Sequence, residues 1–168
     1  MNSSSNFEEI LDALYTEASL LDGAPPRAWR RAAAHLTPPR RADVPLDEPA
    51  TTLFVLTDAM FADFDDFMGA FEAATEITAQ ASKNLQLIPF HPLATYSEVP
   101  GDDAADFASR SPHPLFHLLR ESDVRAAEAA WGRRGGRNIQ ESNEAMLRGL
   151  GHAAMADLLA RCKANTAA

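Results

Sequence analysis

Two short β-rich runs flank one stretch with helical periodicity, and that arrangement limits the chain more than any other feature. Thr51-Thr52-Leu53-Phe54-Val55-Leu56 is nearly continuous in apolar and β-branched residues, the pattern of a strand buried on both faces. Leu85-Gln86-Leu87-Ile88-Pro89-Phe90 is the second run. Pro89 has no N–H to give a ladder, so this strand lies at a sheet edge or ends there. Between the runs, Phe64, Phe67, Met68, Phe71 and Thr75 share one helical stripe, with Asp63, Asp65, Asp66 and Glu72 elsewhere and Asp58 placed as an N-cap. The aromatic stripe reads as core, and the early acids suit a helix N-terminus. The expectation is an α+β domain in which a small sheet, including 51–56 and 85–90, packs against the helix from Asp58 and those after Pro114.

Upstream, Ile10, Leu11, Leu14, Ala18 and Leu21 recur at helical spacing, with Asn6 as a plausible cap and Gly23 as a stop. Pro25-Pro26 breaks the chain, Arg27 to Leu36 suits a short helix around Trp29, and Pro38 to Pro49 reads as irregular. Residues 1–50 are therefore expected to be a helical arm and connector, and 51–168 a single globular unit. Downstream, 93–109 reads as loop, with a turn at Pro100-Gly101-Asp102-Asp103. A helix is expected from about Pro114 to Trp131, ended by Gly132, Gly135 and Gly136. A last helix spans about Ile139 to Lys163.

Composition narrows the functional classes. The 168 residues, 46% hydrophobic, suffice for a real core. A formal charge of -9 argues against a general nucleic-acid or anionic-membrane binder, both of which need a basic face. The lone Cys162 allows no internal disulfide and no multi-cysteine zinc site, and reads as a partly buried bystander. The N-terminus lacks the pattern of a signal peptide and no apolar run is long enough to span a membrane, so a cytoplasmic location is the default. Arg27, Arg30, Arg31, Arg40 and Arg41 form a basic run within 27–41. It reads first as a solvated connector and second as a docking patch for an acidic protein partner.

The chemistry concentrates between Phe90 and Glu121. His91, His113, His117, Arg110, Arg120 and Glu121 fall here among prolines that fix the backbone. On a helix starting at Pro114, Leu115, Leu118, Leu119 and Ser122 would form the packed face, leaving His117, Arg120, Glu121 and Val124 opposite. His117 and Glu121, four apart, would then stack, with His113 leaning over the same column. Two imidazoles and a carboxylate are the ligand set of a mononuclear iron or zinc site: His91, His117 and Glu121, with His113 in reserve. An ordinary helix-surface pair accounts for the same spacing. A second chemistry uses Arg110, Ser111 and Arg120 to hold a carboxylate or phosphate at the helix start. Its structural counterpart is an Arg120–Glu121 or Arg110–Asp106 bridge. Ser111 with His117 also resembles a nucleophile and base, but no nucleophile elbow or orienting acid accompanies them.

The motifs Thr51-Thr52-Leu53, Asp63-Phe64-Asp65-Asp66-Phe67, Phe90-His91-Pro92, Asp102-Asp103, Arg110-Ser111-Pro112, Pro114 and His117-Leu118-Leu119-Arg120-Glu121 belong together. With the spacing Ile139, Glu141, Asn143, Leu150-Gly151, they resemble the family catalogued as domain of unknown function 1415, over roughly residues 50 to 151. The resemblance implies a shared fold and a site that includes Asn143, but no particular reaction. Three polar functions of the family pattern are absent. No asparagine–leucine–cysteine–proline–phenylalanine motif precedes Ala50, Leu56-Thr57 stands where histidine–proline is usual, and Ser142 replaces an arginine before Asn143. Two functions follow. One is an enzyme acting on a small anionic molecule, with His91, His117 and Glu121 as acid/base groups or ligands to iron or zinc, and Arg110, Ser111, Arg120, His113 and Asn143 binding the substrate. The other is a binding or partner subunit that keeps the fold without the reaction.

Overall fold

The computed structural model describes residues 3–23, 51–96, 103–133 and 138–166. The expected helix around Trp29, the connector to Pro49, the basic run, the Pro100–Asp102 part of the expected turn, and Gly135 and Gly136 lie outside these residues.

Helix α1, Ser3–Gly23, starts before Asn6, so that residue is inside the helix instead of capping it. Its Leu14, Ala18 and Leu21 are buried, with Phe7, Ile10 and Leu11 against the same core. Strand β1 covers Thr51–Val55. Asp58 caps a short 3₁₀ turn, Ala59–Phe61, by accepting the Met60 N–H. Asp63 caps helix α2, Phe64–Ala81, by accepting from the Asp65 and Asp66 N–H groups, so the helix starts later than Asp58 would place it. The most deeply buried line of α2 is Phe67, Ala70, Ala74 and Thr78, with Phe64, Met68 and Phe71 partly buried beside it and Thr75 exposed. The alanines let α1 approach closely, while the acids stay exposed as expected.

Strand β2, Leu85–Phe90, falls where the sequence places it, at a sheet edge as Pro89 requires. The third strand corrects the reading of the histidine block. Leu115–Arg120 is not helical; it forms β3, the central strand, antiparallel to β1 and β2 in the order β1-β3-β2. Its run of apolar residues fits helical and alternating templates equally well, and pairing on both sides overrides the helix preference of leucine. Phe116 and Leu118 point into the core, where both are fully buried. The helix begins only at Glu121, where Glu121 and Asp123 supply first-turn acids, and α3 runs through Gly132 to Arg133. β1 is corrected as well: it is an edge strand with Thr51, Leu53 and Val55 exposed, and is not buried on both faces.

The 93–109 stretch contains a second 3₁₀ turn, Ala104–Ala108, with Ala104, Ala105, Asp106 and Phe107 buried. Helix α4, Ile139–Leu150, packs on this turn. The expected single last helix is broken at Gly151, whose φ of 86° lies in the left-handed region open to glycine, and α5 follows as His152–Thr166. Helices α1 and α2 cover the sheet face that carries Phe54, Leu87, Phe116 and Leu118. Burying a phenylalanine such as Phe67 or Phe116 contributes roughly 1.5–3 kcal/mol relative to leaving it in water. Among the described residues, no helix is long and apolar enough to cross a membrane.

Candidate functional site

Two histidines, one fully buried and one partly buried, define the region. His91 follows directly on β2 and is 1% exposed. The Leu93 N–H donates to its Nδ1 at 3.1 Å, so Nε2 carries the proton and donates to the Phe61 carbonyl at 2.9 Å. The ring lies against Phe64 and Phe67, with centroids 5.4 and 4.9 Å away. Burial pushes its pKa down, while the bond to Phe61 and the charge of Asp63 pull partly the other way. His91 is thus a neutral imidazole with both nitrogens engaged in holding the backbone.

The Arg110-Ser111-Pro112 motif meets the His91 motif here. The His91 N–H donates to the Ser109 carbonyl at 3.1 Å, and Arg110 Nε donates to the Ala94 carbonyl at 3.0 Å. The Arg110 guanidinium stacks 4.5 Å from the Phe107 ring centroid and reaches Asp106 at 3.9 Å. Asp106, itself buried, also accepts the Tyr96 N–H at 3.0 Å. Ser111 turns inward and donates to the His113 carbonyl at 2.6 Å. These bonds lock the loop after β2 to the loop before β3. The expected Arg110–Asp106 bridge exists, and cation–π stacking accompanies it.

The other members of the block disperse. Arg120, at the end of β3, donates from Nε to the Leu21 carbonyl at 3.2 Å and pairs with Asp123 at 3.6 Å. Glu121 opens α3 and pairs with Arg125, so the expected Arg120–Glu121 bridge is replaced by two others. His117 is in a strand and Glu121 in a helix, which removes the one-turn stacking expected of them. His113 is exposed, and Asn143 is exposed on α4. Among the described residues, no group of three or more His, Cys, Asp or Glu side chains is placed to hold a metal ion.

His117 occupies the middle of the sheet face turned away from α1 and α2. Register places Leu53 and Ile88 on either side of it, with Thr51, Leu119 and Gln86 in one flanking row and Val55, Leu115 and Phe90 in the other. The Phe90 ring lies 6.2 Å from the imidazole. His117 Nε2 is buried without a hydrogen-bond partner, and burial lowers the pKa of the ring. Leu53 and Val55 on the same face are 57% and 52% exposed. An antiparallel sheet with one wet face ordinarily alternates apolar and polar residues, whereas this one is largely apolar on both sides.

Sequence reasoning missed this outer face because it treated β1 as fully buried and His117 as helical. The register of β3 was the signal: once 115–120 is a strand, alternation alone places His117 with the leucines. It also missed the clamp between Arg148 on α4 and Asp103, where Nη2 lies 2.9 Å from Oδ2. Asp103 simultaneously caps the second 3₁₀ turn. Cys162, expected to be partly buried, is exposed on α5.

A family model described as "Protein of unknown function (DUF1415)" matches residues 40–157. Comparisons with curated proteins and with solved structures find no match. The match extends beyond the motifs at both ends and includes the His91, Arg110 and His117 segments, and the chain belongs to the DUF1415 family.

Proposed function

We propose that this chain works as a binding module, keeping the family's fold as a partner subunit, and that it binds protein through the outer face of its sheet. The observation that carries this reading is the combination of Leu53 and Val55, both more than half exposed, with His117 Nε2 buried and unpartnered beside them. Exposed apolar side chains clustered on one sheet face are costly in water, and a covering partner removes them from it. The charged groups once available for catalysis support the same reading, because Arg110, Arg120 and Glu121 each hold an internal partner. A formal charge of -9 disfavours nucleic acid as that partner. The basic run at 27–41 is a second place where an acidic protein would dock.

A second reading keeps the enzyme. His117 is held toward its neutral form by burial and its Nε2 has no competing partner, so it would serve as a general base on a small anionic substrate once the side chains that cover it move aside. Arg110, Ser111, Arg120, His113 and Asn143 would then rearrange around the anion, and His91, His117 and Glu121 around a mononuclear iron or zinc ion.

Paired measurements on the full chain separate the two. Fluorescence of the apolar dye anilinonaphthalene sulfonate should rise on the wild type and fall by most of its amplitude on Leu53→Lys. Inorganic phosphate, Zn²⁺ and anaerobic Fe²⁺ should give no thermal stabilisation that Arg110→Ala or His117→Ala removes. Stoichiometric metal lost in His117→Ala, or phosphate stabilisation abolished by Arg110→Ala in a folded protein, would establish the enzyme instead.

A further inference from the structure

The second 3₁₀ turn, Ala104–Ala108, is held very differently on its two sides. Toward the loops after β2 and before β3 it is fixed by buried polar bonds. Asp106, 5% exposed, accepts the Tyr96 N–H, the Ser109 carbonyl accepts the His91 N–H, and the Arg110 guanidinium stacks on Phe107. Toward α4 and α5 few side chains make the contact. Leu147 is the one buried residue of α4, and α5 has none among its described residues. The packing of both helices, among the described residues, is chiefly with this turn and with each other.

The helix side of the turn has an apolar and a polar part. Leu147, Ala104, Ala105 and Phe107 are buried but stand outside the main core of α1, α2 and the sheet. The His152 ring meets Phe107 edge-on, with centroids 5.2 Å apart. In the polar part, the Asp103 carboxylate accepts from Arg148 Nε at 3.1 Å and Nη2 at 2.9 Å, and the same carboxylate caps the Ala105 N–H at 2.9 Å. Glu144, one turn earlier on α4, accepts from Arg148 Nη1 at 3.4 Å. A two-bond fork is the favourable geometry for a surface ion pair, yet a pair with a half-exposed arginine contributes little.

We infer that α4 and α5 are a cover that lifts from the second 3₁₀ turn as one unit, latched by Arg148 and Asp103, while the turn stays locked to the loops beneath it. The inference is independent of both functional readings. The two sides of the turn differ in what a break would leave behind. Parting the turn from the loops strands Asp106 and the His91 N–H without partners in buried surroundings. Parting it from α4 hands Arg148 and Asp103 to water, which solvates both. The opening therefore falls between turn and helices.

The helices travel together because Gly151 alone separates them. Its N–H donates to the Leu147 carbonyl at 3.0 Å, and its carbonyl accepts the Met155 N–H at 3.3 Å. Met146 and Leu150 on α4 are each 57% exposed, and Leu158 on α5 is 46% exposed. Much of the apolar surface of the cover is thus wet already, and lifting it adds little more. Few buried apolar contacts are what make a segment open ahead of the whole fold. The opened state presents Phe107, whose ring keeps the Arg110 guanidinium against it, together with the alanines of the turn. Arg148 and Leu147 lie within the family match, so the cover belongs to the shared fold.

Amide hydrogen exchange on the full chain, followed by NMR at neutral pH, tests this. Protection of α4 and α5 should be at least about tenfold lower than that of α2 and β3 and alike in the two helices, while the His91, Tyr96 and Ser109 amides stay protected with the sheet. Leu147→Ala, which removes the apolar anchor, should lower protection across both helices by about tenfold or more. Arg148→Ala should lower it roughly two- to fivefold, and Arg148→Lys, which keeps the charge without the fork, by less. None of these should change α2 or β3. Arg148→Ala, at a half-exposed position, decides alone if Leu147→Ala does not fold. Helices as protected as α2, a loss shared equally by the sheet, or turn amides lost together with α4 would each overturn the inference. So would an α5 that responds to neither substitution, since it then frays by itself, or an Arg148→Ala that changes nothing.

Discussion

His91, just past the end of β2, and His117, within the adjacent β3, are the same side chain, and nearly everything around them differs. His91 is enclosed by phenylalanines, yet each of its nitrogens has a backbone partner, at 2.9 and 3.1 Å. His117 is less enclosed and has a buried nitrogen with none. Burial lowers both pKa values, so titration behaviour does not separate them. Hydrogen-bond satisfaction does. A satisfied buried imidazole is part of the frame, while an unsatisfied one stands out as a polar atom that the fold does not use.

The largest expected effect contrasts the two sheet faces. Phe116→Ala empties a fully buried position against Phe67 and Phe71 and should cost about 3–5 kcal/mol in urea unfolding. Leu53→Ala, opposite His117 on the outer face, should change monomer stability by no more than about 0.5 kcal/mol. Similar losses at both positions would mean that the outer face is covered within the monomer.

Next comes His91 itself. His91→Ala leaves the Phe61 carbonyl and the Leu93 N–H without their partner and opens a void between Phe64 and Phe67. A loss of about 2–4 kcal/mol is expected, larger than for His117→Ala. If His91→Ala unfolds no more easily than the wild type, the ring is not a structural tie, and its place at a strand end regains functional weight.

Acid stability follows from the direction of both shifts. In the unfolded chain each imidazole titrates near its ordinary value of 6.5, while in the native protein both lie lower. As pH falls through 6.5 the unfolded state takes up protons first, so the monomer loses stability from there down to the lowered native values, and no further from this source below them. Above that window the stability contribution is fully present. Urea midpoints at about pH 7.5 and pH 5 should show the fall, and His91→Gln should reduce its slope. A midpoint that rises on acidification would reverse the assignment of both rings as neutral.

The sequence revealed the frame better than the face. Helix α1, the presence of α2 and strand β2 were legible because their periodicity is unambiguous and their ends carry caps, a glycine or a proline. The core line of α2 was legible only at Phe67, its other buried members being Ala70, Ala74 and Thr78. Strand β3 was not. Leu115, Leu118 and Leu119 satisfy helical spacing and Phe116 and Leu118 satisfy alternation, and only pairing with β1 and β2 decides between them. The site inherits that error: a helix would align His117 with Glu121, whereas the strand separates them and aligns His117 with Leu53 and Ile88. The closeness of the His91 and Arg110 motifs was legible as a shared region. Its character as a backbone lock was not, because the partners are the carbonyls of Phe61, Ala94 and Ser109, which sequence cannot identify.

The smallest expected effect is the most direct test of the contrast between the two histidines. Replacing His117 with leucine removes a polar atom that the monomer never satisfies and adds apolar surface beside Leu53, Ile88 and Phe90. Truncating a bonded group leaves its partner unpaired, but no partner is left behind here. The monomer should therefore gain stability, by under about 1 kcal/mol because the ring is only partly buried and some of the new surface stays wet. Urea unfolding at neutral pH reads it directly. A loss of more than about 1 kcal/mol would reveal a partner for Nε2 within the chain, making His117 a structural tie like His91.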